Sequence, residues 1–270
     1  MKIRRASAAT TSRPRSRAFD GPRTLAVDVG GTGIKAIVLD PRGAPLGERR
    51  REPTPQPATP RAVLATIQRL SRAAGPFDRV SLGFPGVVVE GVVRTAPHLA
   101  ERLWRGHDLR ADVERALKRP AHVLNDAAIQ GYGAVRGRGV EMILTFGTGV
   151  GSALFIDGRA VPLELGHHPW AKGKTYEERL GDAERRRIGN KHWSRRVRAA
   201  VRQIQAVFLP DTLYLGGGNS ARLRGGLPEG VRVVSNDDGL LGGIRLWGSP
   251  HLRLAPRLAA AGGTRSRRRR

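Results

Sequence analysis

The apolar residues of this chain fall into short runs separated by turns rich in glycine and proline. Residues 24–29 (TLAVDV) and 34–39 (IKAIVL) are two such runs, and the glycine-rich turn between them predicts a β-hairpin. The proline-rich stretch 51–60 predicts a loop that ends in a helix start at Thr59-Pro60, because threonine caps helices well and proline favours the first helical position. The helix that follows carries one apolar face, formed by Val63, Ile67, Leu70 and Ala74.

The same order of strands and helices occurs again further along the chain. The predicted elements are a strand at 80–84, a helix near 108–118, a strand at 121–126, two strands at 141–146 and 152–156, an amphipathic helix at 192–208, a strand within 211–219 and a short helix at 237–247. This repetition predicts an α/β protein with two related halves. Glycine-rich turns follow strands in both halves, and α/β sheets bind ligands at such strand ends.

The overall composition is that of a soluble globular protein, with 39% hydrophobic and 26% charged residues. No apolar run is long enough to span a membrane. The chain contains no cysteine, so it has neither disulfides nor thiolate metal sites. We therefore expect a cytoplasmic location and no membrane partner.

The formal net charge of +25 is unusually high. Residues 1–23 contribute +6 of it and residues 252–270 contribute +7, so +12 remains for the body of the chain. Both ends lack periodicity and are predicted to be disordered; they are either solvated ends, including a misassigned start, or contacts for nucleic acid. The excess charge of the body indicates a polyanionic partner. Between Lys172 and Arg198, ten basic residues face four acidic ones, as a track for such a partner or as a solvated helix face.

Two glycine turns that carry a hydroxyl are candidate phosphate sites. Turns 30–33 and 147–149 contain Thr32 and Thr148, and exposed backbone N–H groups in such turns form anion-binding nests. Neither is a Walker loop, and the second leads into a strand, which argues against a dinucleotide fingerprint. Each turn could also simply connect a hairpin. Asp28 beside the first turn could hold Mg²⁺, directly or through water, or could bond to the turn itself.

Two further groups of polar residues could act on a substrate hydroxyl. Asp126 lies between a buried strand and a predicted helix, so it is either a helix N-cap or a general base, with Asn125 beside it to orient the hydroxyl. Glu164 and His167 have a spacing that occurs in metal sites, but no third zinc ligand is nearby. Hydrogen bonding of a sugar suits them better, because sugars need paired donors and acceptors, and Glu178 could add another acceptor.

Six motifs follow one another over residues 25–219: DVGGTGIK, GFPGVV, LNDAA, LTFGTGVGS, ELGH and LYLGGGN. Together they resemble the ROK family of sugar kinases, within the actin-like ATPase superfamily. The segments TPQPATP and GVVRTA, and the lack of the usual cysteine-rich zinc motif of the family, resemble its bacterial polyphosphate glucokinase branch.

The resemblance implies a two-lobed, actin-like ATPase (ribonuclease H-like) α/β fold with the active site in the cleft between the lobes. The expected division is a disordered basic tail at 1–22, a smaller N-terminal lobe at 23–123 that the helix near 238–248 completes, a larger C-terminal lobe at 124–237 and a disordered Arg-rich tail at 251–270. Relatives also suggest a homodimer.

The resemblance further assigns a role to each motif. Asp126 matches the catalytic base, and Asp28 with the turn Gly30–Gly33 matches the first phosphate motif, beside which Mg²⁺ is expected to bind Asp28 through water. Gly216–Gly218 match the glycines on the nucleoside side, and His98 stands where many ROK kinases have asparagine. The implied sugar contacts are Asn125, Asp126, Glu164, His167 and Glu178. The implied phosphate and nucleotide contacts are Asp28, Gly30, Gly31, Thr32, Gly33, Lys35, Gly147, Thr148, Gly149, Gly216, Gly217 and Gly218.

The implied reaction is transfer of a terminal phosphoryl group from polyphosphate, and also from ATP, to the 6-hydroxyl of glucose. The tract after Gly218 is short, which indicates a reduced adenine pocket. Alternatives are an ATP-dependent ROK glucokinase, a broader hexose kinase that also accepts mannose, and a ROK-type sugar-sensing DNA regulator. The regulator would need a helix-turn-helix, for which residues 1–23 are too short and too broken by proline and arginine. Nucleic-acid binding is therefore expected at most through the basic tails.

Overall fold

The computed structural model describes residues 21–248, apart from the side chains of residues 236–240. The predicted tails at 1–22 and 251–270 lie outside the described residues, except for Gly21 and Pro22. Among the helices of the described part, none has the length and apolar character needed to cross a membrane.

The secondary structure alternates strands and helices in the order that the apolar runs predict. The strands are β1 (Thr24–Val29), β2 (Gly33–Leu39), β3 (Arg50–Pro53), β4 (Arg79–Phe84), β5 (Val88–Val89), β6 (Val92–Val93), β7 (Ala121–Asn125), β8 (Val140–Phe146), β9 (Val150–Ile156), β10 (Arg159–Val161), β11 (Pro169–Ala171), β12 (Lys174–Thr175), β13 (Thr212–Gly216) and β14 (Val231–Val233). The α-helices are α1 (Pro60–Ala74), α2 (Glu101–Trp104), α3 (Leu109–Leu117), α4 (Asp126–Ala134), α5 (Tyr176–Leu180), α6 (Asp182–Phe208) and α7 (Asn236–Arg245). Short 3₁₀ helices cover Leu165–His167, Ser220–Arg222 and Leu246–Gly248.

Two five-stranded sheets with the same strand pattern organise the described residues. The first has the order β3-β2-β1-β4-β7, and the second has the order β10-β9-β8-β13-β14. In the first sheet β1 pairs antiparallel with β2 and parallel with β4, and in the second β8 pairs antiparallel with β9 and parallel with β13. This duplication confirms the prediction of an α/β protein with two related halves.

Each sheet packs its own hydrophobic core. In the first core, strands β1, β2 and β4 pack with α1, and the ring centroids of Phe84 and Trp104 are 4.8 Å apart. In the second core, strands β8 and β13 pack with α6, and the rings of Phe146 and Trp193 are 5.5 Å apart. The turns that follow β1 and β8 are therefore anchored on buried strands.

Helix α1 begins as predicted. The Thr59 hydroxyl accepts a hydrogen bond from the backbone nitrogen of Ala62 at 3.2 Å, and Pro60 occupies the first turn. Along the predicted apolar face, Ala74 packs at the margin of the core, and the fully buried residues are Val63, Ile67 and Leu70. The cap and the apolar spacing together were sufficient to predict this helix.

Two elements differ from the prediction. Residues 50–53 form β3 on the edge of the first sheet, although the stretch from residue 51 was predicted to be a loop. The sequence of β3 (RREP) has no apolar alternation, and only backbone pairing with β2 makes it a strand. Helix α6 runs from Asp182 to Phe208 but is interrupted at Gly189, where φ is +76°. The part after Gly189 matches the helix predicted at 192–208. The part before it was not predicted, because it has no apolar face.

The last helix, α7, returns to the first sheet and packs on α4. The Ser81 hydroxyl of β4 donates to the carbonyl oxygen of Gly243 at 2.6 Å, and the Trp247 indole nitrogen donates to the Ser81 hydroxyl at 2.9 Å. A Cβ on Gly242 would lie 1.8 Å from the carbonyl oxygen of Ile129, so this glycine permits the close approach of α7 to α4. Helix α7 thereby joins α4 to the first sheet.

Candidate active site

A cleft of about 410 Å³ is lined by residues from both sheets. On one side it is lined by Asp28, Lys35, Ile37, Arg49 and Gly83, and on the other by Asp126, Gln130, Thr145, Gly147, Gly217 and Gly218. The structure thus brings the predicted base and several predicted phosphate contacts to one place.

The first glycine turn connects β1 to β2 beside this cleft. The backbone nitrogen of Gly30 donates to the carbonyl oxygen of Gly33 at 3.0 Å, which closes the turn. The Thr54 hydroxyl donates to the carbonyl oxygen of Gly30 at 2.5 Å, which ties the turn to the segment after β3. Gly31 faces His98, and Thr32 at the tip is exposed. The Thr32 hydroxyl is therefore accessible to a ligand.

The second glycine turn connects β8 to β9, and its tip is also open. The backbone nitrogen of Gly147 donates to the carbonyl oxygen of Gly149 at 3.1 Å. The Asn219 side chain donates to the carbonyl oxygen of Gly147 at 3.1 Å, and the Thr148 carbonyl accepts from the backbone nitrogen of Asp182 at 3.2 Å. These bonds hold the turn between the end of β13 and the start of α6, and Thr148 itself is exposed.

The glycines after β13 lie against the second turn. Gly217 has φ of +81°, and a Cβ there would lie 2.5 Å from the carbonyl oxygen of Phe146, so only glycine fits. Gly218 is exposed and lines the cleft with Gly217. Gly216 is the buried last residue of β13 and packs beneath the Gln130 side chain. Of the three predicted contacts, two therefore line the cleft and Gly216 supports them.

Asn125, rather than Asp126, is the cap of helix α4. The Asn125 side-chain oxygen accepts from the backbone nitrogens of Ala127 at 2.9 Å and Ala128 at 3.2 Å. The Asn125 amide also donates to the carbonyl oxygen of Gly86 at 3.1 Å. The interpretation of Asp126 as the N-cap is therefore wrong, because Asn125 already caps the helix.

Asp126 is left as a strongly perturbed carboxylate in the cleft. Burial raises the pKa of Asp126 to about 7, and repulsion from the Asp28 carboxylate adds to that rise. Asp28 itself lies 3.0 Å from the ammonium group of Lys35. A carboxyl group with a pKa near neutrality can take up and release a proton at neutral pH, as a general base must.

A second polar cluster lies next to Asp126. The carboxylate of Glu164 accepts from the Thr95 hydroxyl at 3.4 Å, and burial raises the pKa of Glu164. His98 and His167 have ring centroids 5.8 Å apart, and His98 Nε2 is 3.2 Å from a Glu177 oxygen. The hydrogen bond to Glu177 raises the pKa of His98, and Glu164 and Asp126 raise it further through their charges. Acceptors and donors thus alternate around one small volume, as hydrogen bonding of a polyhydroxylated ligand requires.

The structure contradicts the prediction that Glu178 faces this cluster. The Glu178 carboxylate accepts from the backbone nitrogen of Thr175 at 2.8 Å in a capping box at the start of α5, and it is exposed. Its neighbour Glu177 faces the cluster and accepts from the backbone nitrogen of Val150 at 3.1 Å. The sequence carried the signal, because T-x-x-E over 175–178 is the capping-box pattern and assigns Glu178 to the cap.

Two groups of residues fit a bound cation. The Asp28 carboxylate, whose charge acts on Asp126 across the cleft, fits a magnesium ion, because carboxylate oxygens are the ligands that Mg²⁺ prefers. His98, His167 and Glu177 offer ligand atoms that all lie within 4.8 Å of one another. Two imidazoles and a carboxylate suit zinc rather than magnesium.

Comparisons with known proteins agree with this geometry. The family model described as "ROK family" matches residues 24–171. A polyphosphate glucokinase of Mycobacterium leprae is 33% identical over 254 residues, which are 87% of this chain and 75% of the relative. A polyphosphate glucokinase of Mycobacterium tuberculosis (strain CDC 1551 / Oshkosh) is 36% identical over 207 residues, which cover 73% of this chain and 77% of the relative.

A solved structure has the same fold. The inorganic polyphosphate/ATP-glucomannokinase of Arthrobacter sp. strain KM superposes with a TM-score of 0.74 at 30% identity, covering 83% of this chain and 97% of that chain. The duplicated sheets, with the cleft between their glycine turns, are therefore those of the actin-like ATPase fold of ROK sugar kinases. On the matched family model and the extent of these similarities, the chain belongs to the ROK family.

Proposed function

We propose that this chain is a polyphosphate-dependent glucokinase, which transfers the terminal phosphoryl group of polyphosphate to the 6-hydroxyl of glucose. The names of the two mycobacterial relatives support glucose as acceptor and polyphosphate as donor. The proposal rests on the position of Asp126. Its carboxyl group lies in the cleft between the two glycine turns, and its pKa is about 7. ATP as a second donor, and mannose as a second acceptor, are supported by the name of the Arthrobacter kinase.

Asp126 acts as the general base in this mechanism. Its deprotonated carboxylate accepts the proton of the 6-hydroxyl as the oxygen attacks the terminal phosphorus, and the bond to the remaining polyphosphate breaks. Asn125 fixes the start of α4, and thereby the position of Asp126, through its bonds to Ala127 and Ala128. One hydrogen of the Asn125 amide is donated to the Gly86 carbonyl oxygen, and the other is assigned to the sugar.

The two glycine turns bind the donor phosphates. The backbone N–H groups of Gly30 and Gly147 close the turns, so the donors for the phosphates are the N–H groups of Gly31, Thr32, Thr148 and Gly149, with the Thr32 and Thr148 hydroxyls at the tips. Lys35 neutralises charge beside Asp28, and Gly217 and Gly218 flank the far side. Mg²⁺ held by Asp28, directly or through water, supplies charge neutralisation on the phosphates when bound.

The cluster of Glu164, His167 and Glu177 holds the sugar, with Glu177 in the place that the sequence assigned to Glu178. We assign this cluster to hydrogen bonding because its acceptors and imidazoles surround the volume next to the base. His98 stabilises the Glu177 carboxylate, and the pKa of Glu177 is lowered by that hydrogen bond and by the backbone nitrogen of Val150 despite burial. The lowered pKa favours the ionised form of Glu177, and a carboxylate is a strong acceptor for a sugar hydroxyl.

A matched pair of variants tests this assignment. Glu177→Gln should weaken glucose binding by about 10- to 100-fold, because a hydrogen bond to a charged group contributes about 1.5–3 kcal/mol. Glu178→Gln, next to it in the chain, should leave the glucose dissociation constant unchanged, since its carboxylate caps α5. Calorimetric titration with glucose measures both, and equal weakening by the two variants would contradict the assignment.

The donor is tested directly with the purified full chain, glucose, Mg²⁺ and either long-chain polyphosphate or ATP. We expect glucose 6-phosphate from polyphosphate, with a higher kcat/KM than from ATP. Product from ATP alone would favour the ATP-dependent alternative, and no product with any donor would contradict the proposal. Replacing glucose with mannose measures the acceptor range.

We also propose a division into two lobes, residues 23–123 completed by the helix near 238–248, and residues 124–237. These lobes close around the sugar to exclude water. A homodimer and a cytoplasmic location are part of the same proposal.

A further inference from the structure

One face of the first sheet carries a row of cations that begins at the reaction centre. Asp28 is the register partner of Lys35, and Lys35 is the register partner of Arg51. Residues opposite each other on paired antiparallel strands have their side chains on the same face. Asp28, Lys35 and Arg51 therefore follow one another across β1, β2 and β3, over about 10 Å at the usual strand spacing.

Arg49 extends this row along the sheet edge. It immediately precedes β3, and it lines the cleft together with Lys35. We call Lys35, Arg49 and Arg51 the basic row.

The guanidinium group of Arg51 lies directly on the first glycine turn. A Cβ on Gly33 would come within 2.8 Å of both Nε and Nη2 of Arg51. Because Gly33 has no side chain, the Arg51 guanidinium group can lie against the backbone of the turn that binds phosphate. Arg51 is exposed, so its charge is accessible from the cleft side of the sheet.

Two members of the basic row have no ion-pair partner among the described side chains. Lys35 is paired with Asp28, but within residues 21–248, the side chains of residues 236–240 excepted, neither Arg49 nor Arg51 forms an ion pair. The carboxylates of the same segment pair elsewhere: Glu48 lies 3.3 Å from Arg50, and Glu52 lies 2.7 Å from Arg69 of α1. Arg50 and Glu52 alternate with Arg51 along β3, so they point to the opposite face. A guanidinium group beside a phosphate turn, with a second arginine lining the same cleft, favours a polyanion.

The basic segment from Lys172 to Arg198 is partly neutralised by its own carboxylates. Asp182 is paired with Arg185 at 2.7 Å and with Arg186 at 2.5 Å. Glu184 is paired with Arg187 at 2.6 Å and also with Arg196. Four of the ten basic residues predicted as a track therefore have carboxylate partners and six have none in the described part of the chain. What distinguishes the basic row is its position, because Arg51 contacts the first glycine turn and Arg49 lines the cleft.

We propose that the basic row binds the phosphates that lie behind the transferred one, so that a long polyphosphate leaves the cleft across the first sheet toward its β3 edge. The proposal rests on the proposed function and adds to it the path of the donor. The resemblance assigns the nucleoside end of ATP to Gly216–Gly218, which follow β13 of the second sheet. The two donors thus share the terminal phosphate site and diverge behind it, which makes the basic row specific for the longer polyanion.

The test compares two double variants of the full chain with the same charge change. Arg49→Ala/Arg51→Ala removes the two free members of the row, and Arg50→Ala/Arg61→Ala removes two exposed cations from the face of the sheet that α1 covers. Long-chain polyphosphate is titrated by calorimetry without glucose at several salt concentrations. KM is measured for long-chain polyphosphate and for ATP.

We expect Arg49→Ala/Arg51→Ala to weaken polyphosphate binding by about tenfold or more and to flatten its salt dependence, because fewer counterions are released. Its KM for polyphosphate should rise at least fivefold more than its KM for ATP. The control pair should match the unaltered protein in both measurements. Equal losses of polyphosphate affinity in the two double variants, or equal rises in KM for the two donors, would contradict the proposal that the basic row binds polyphosphate.

Calorimetry separates this inference from the proposed function. If the unaltered protein makes no glucose 6-phosphate from polyphosphate, the proposed function is wrong, but selective loss of polyphosphate binding in Arg49→Ala/Arg51→Ala would still support the basic row. If the unaltered protein does not bind long-chain polyphosphate, the basic row is overturned.

Discussion

Replacing Asp126 with asparagine is expected to lower the turnover of glucose phosphorylation by about 10²- to 10⁴-fold, the usual contribution of a general base. The amide keeps the shape of the side chain and can still accept from the backbone nitrogen of Ala127, which is 2.7 Å from the carboxylate oxygen. Glucose affinity should therefore stay within a few-fold. Turnover is measured under saturating donor and glucose, and affinity by calorimetry.

The pH dependence of turnover is the control for this prediction. The unaltered protein should lose turnover as the pH falls below about 7, because protonated Asp126 cannot accept the hydroxyl proton. The residual turnover of Asp126→Asn should show no such decline. Normal turnover of the variant, or an unchanged acid limb, would contradict the role of Asp126 as the base.

The same variant should be more stable than the unaltered protein at alkaline pH. Burial and Asp28 raise the folded-state pKa of Asp126 from the ordinary 3.8 to about 7, so stability is lost as the pH rises between these values. The asparagine variant carries no charge and avoids this loss, which is at most about 4 kcal/mol. Its advantage in thermal melting should be full above pH 7 and should vanish below about pH 4.

Replacing Gly242 with alanine is expected to lower the free energy of unfolding by about 2–3 kcal/mol and the melting temperature by about 5–10 °C. The added methyl group would meet the carbonyl oxygen of Ile129 at 1.8 Å, which forces α7 away from α4. The Ser81 bond to the Gly243 carbonyl and the contact of Trp247 with Ser81 would be strained together. Thermal and denaturant unfolding measure the loss.

Gly243→Ala is the matched control for this prediction. A Cβ there would meet Ser81 Cβ at 3.5 Å and Ala26 Cβ at 3.8 Å, which are ordinary contacts. Alanine also favours a helix over glycine by about 1 kcal/mol. We expect no loss, or a small gain, in stability. Equal destabilisation by the two substitutions would show that the close approach of α7 to α4 is not the cause.

The elements with regular apolar spacing and clear caps could be predicted from the sequence. The hairpin around Asp28 and the helix that starts at Thr59-Pro60 are examples, because local signals decide both. Strand β3 could not be predicted, since its four residues are charged or proline and only pairing with β2 makes them a strand. For the same reason, the alignment of Arg51 with Lys35 across two strands needed the register.

The site residues, too, could be predicted only in part from the sequence. The motifs led to Asp28 and Asp126, which the structure brings to one cleft. The capping-box pattern excludes Glu178, but the contact of Glu177 with β9 depends on how α5 packs, and its contact with His98 depends on the path of the chain after β6. A contact between residues distant in sequence cannot be derived from the spacing of one motif.

The position of α7 has a consequence for biosynthesis. Helix α4 is translated before α7, the helix that covers it and is hydrogen-bonded to β4. Helix α7 follows only after the whole second sheet has been translated. A nascent chain therefore carries Asp126, the proposed base, on a helix with one side still open to water. A polypeptide interrupted between β14 and α7 would contain both glycine turns and every proposed sugar contact, yet Asp126 would lack the packing of α7 on its helix.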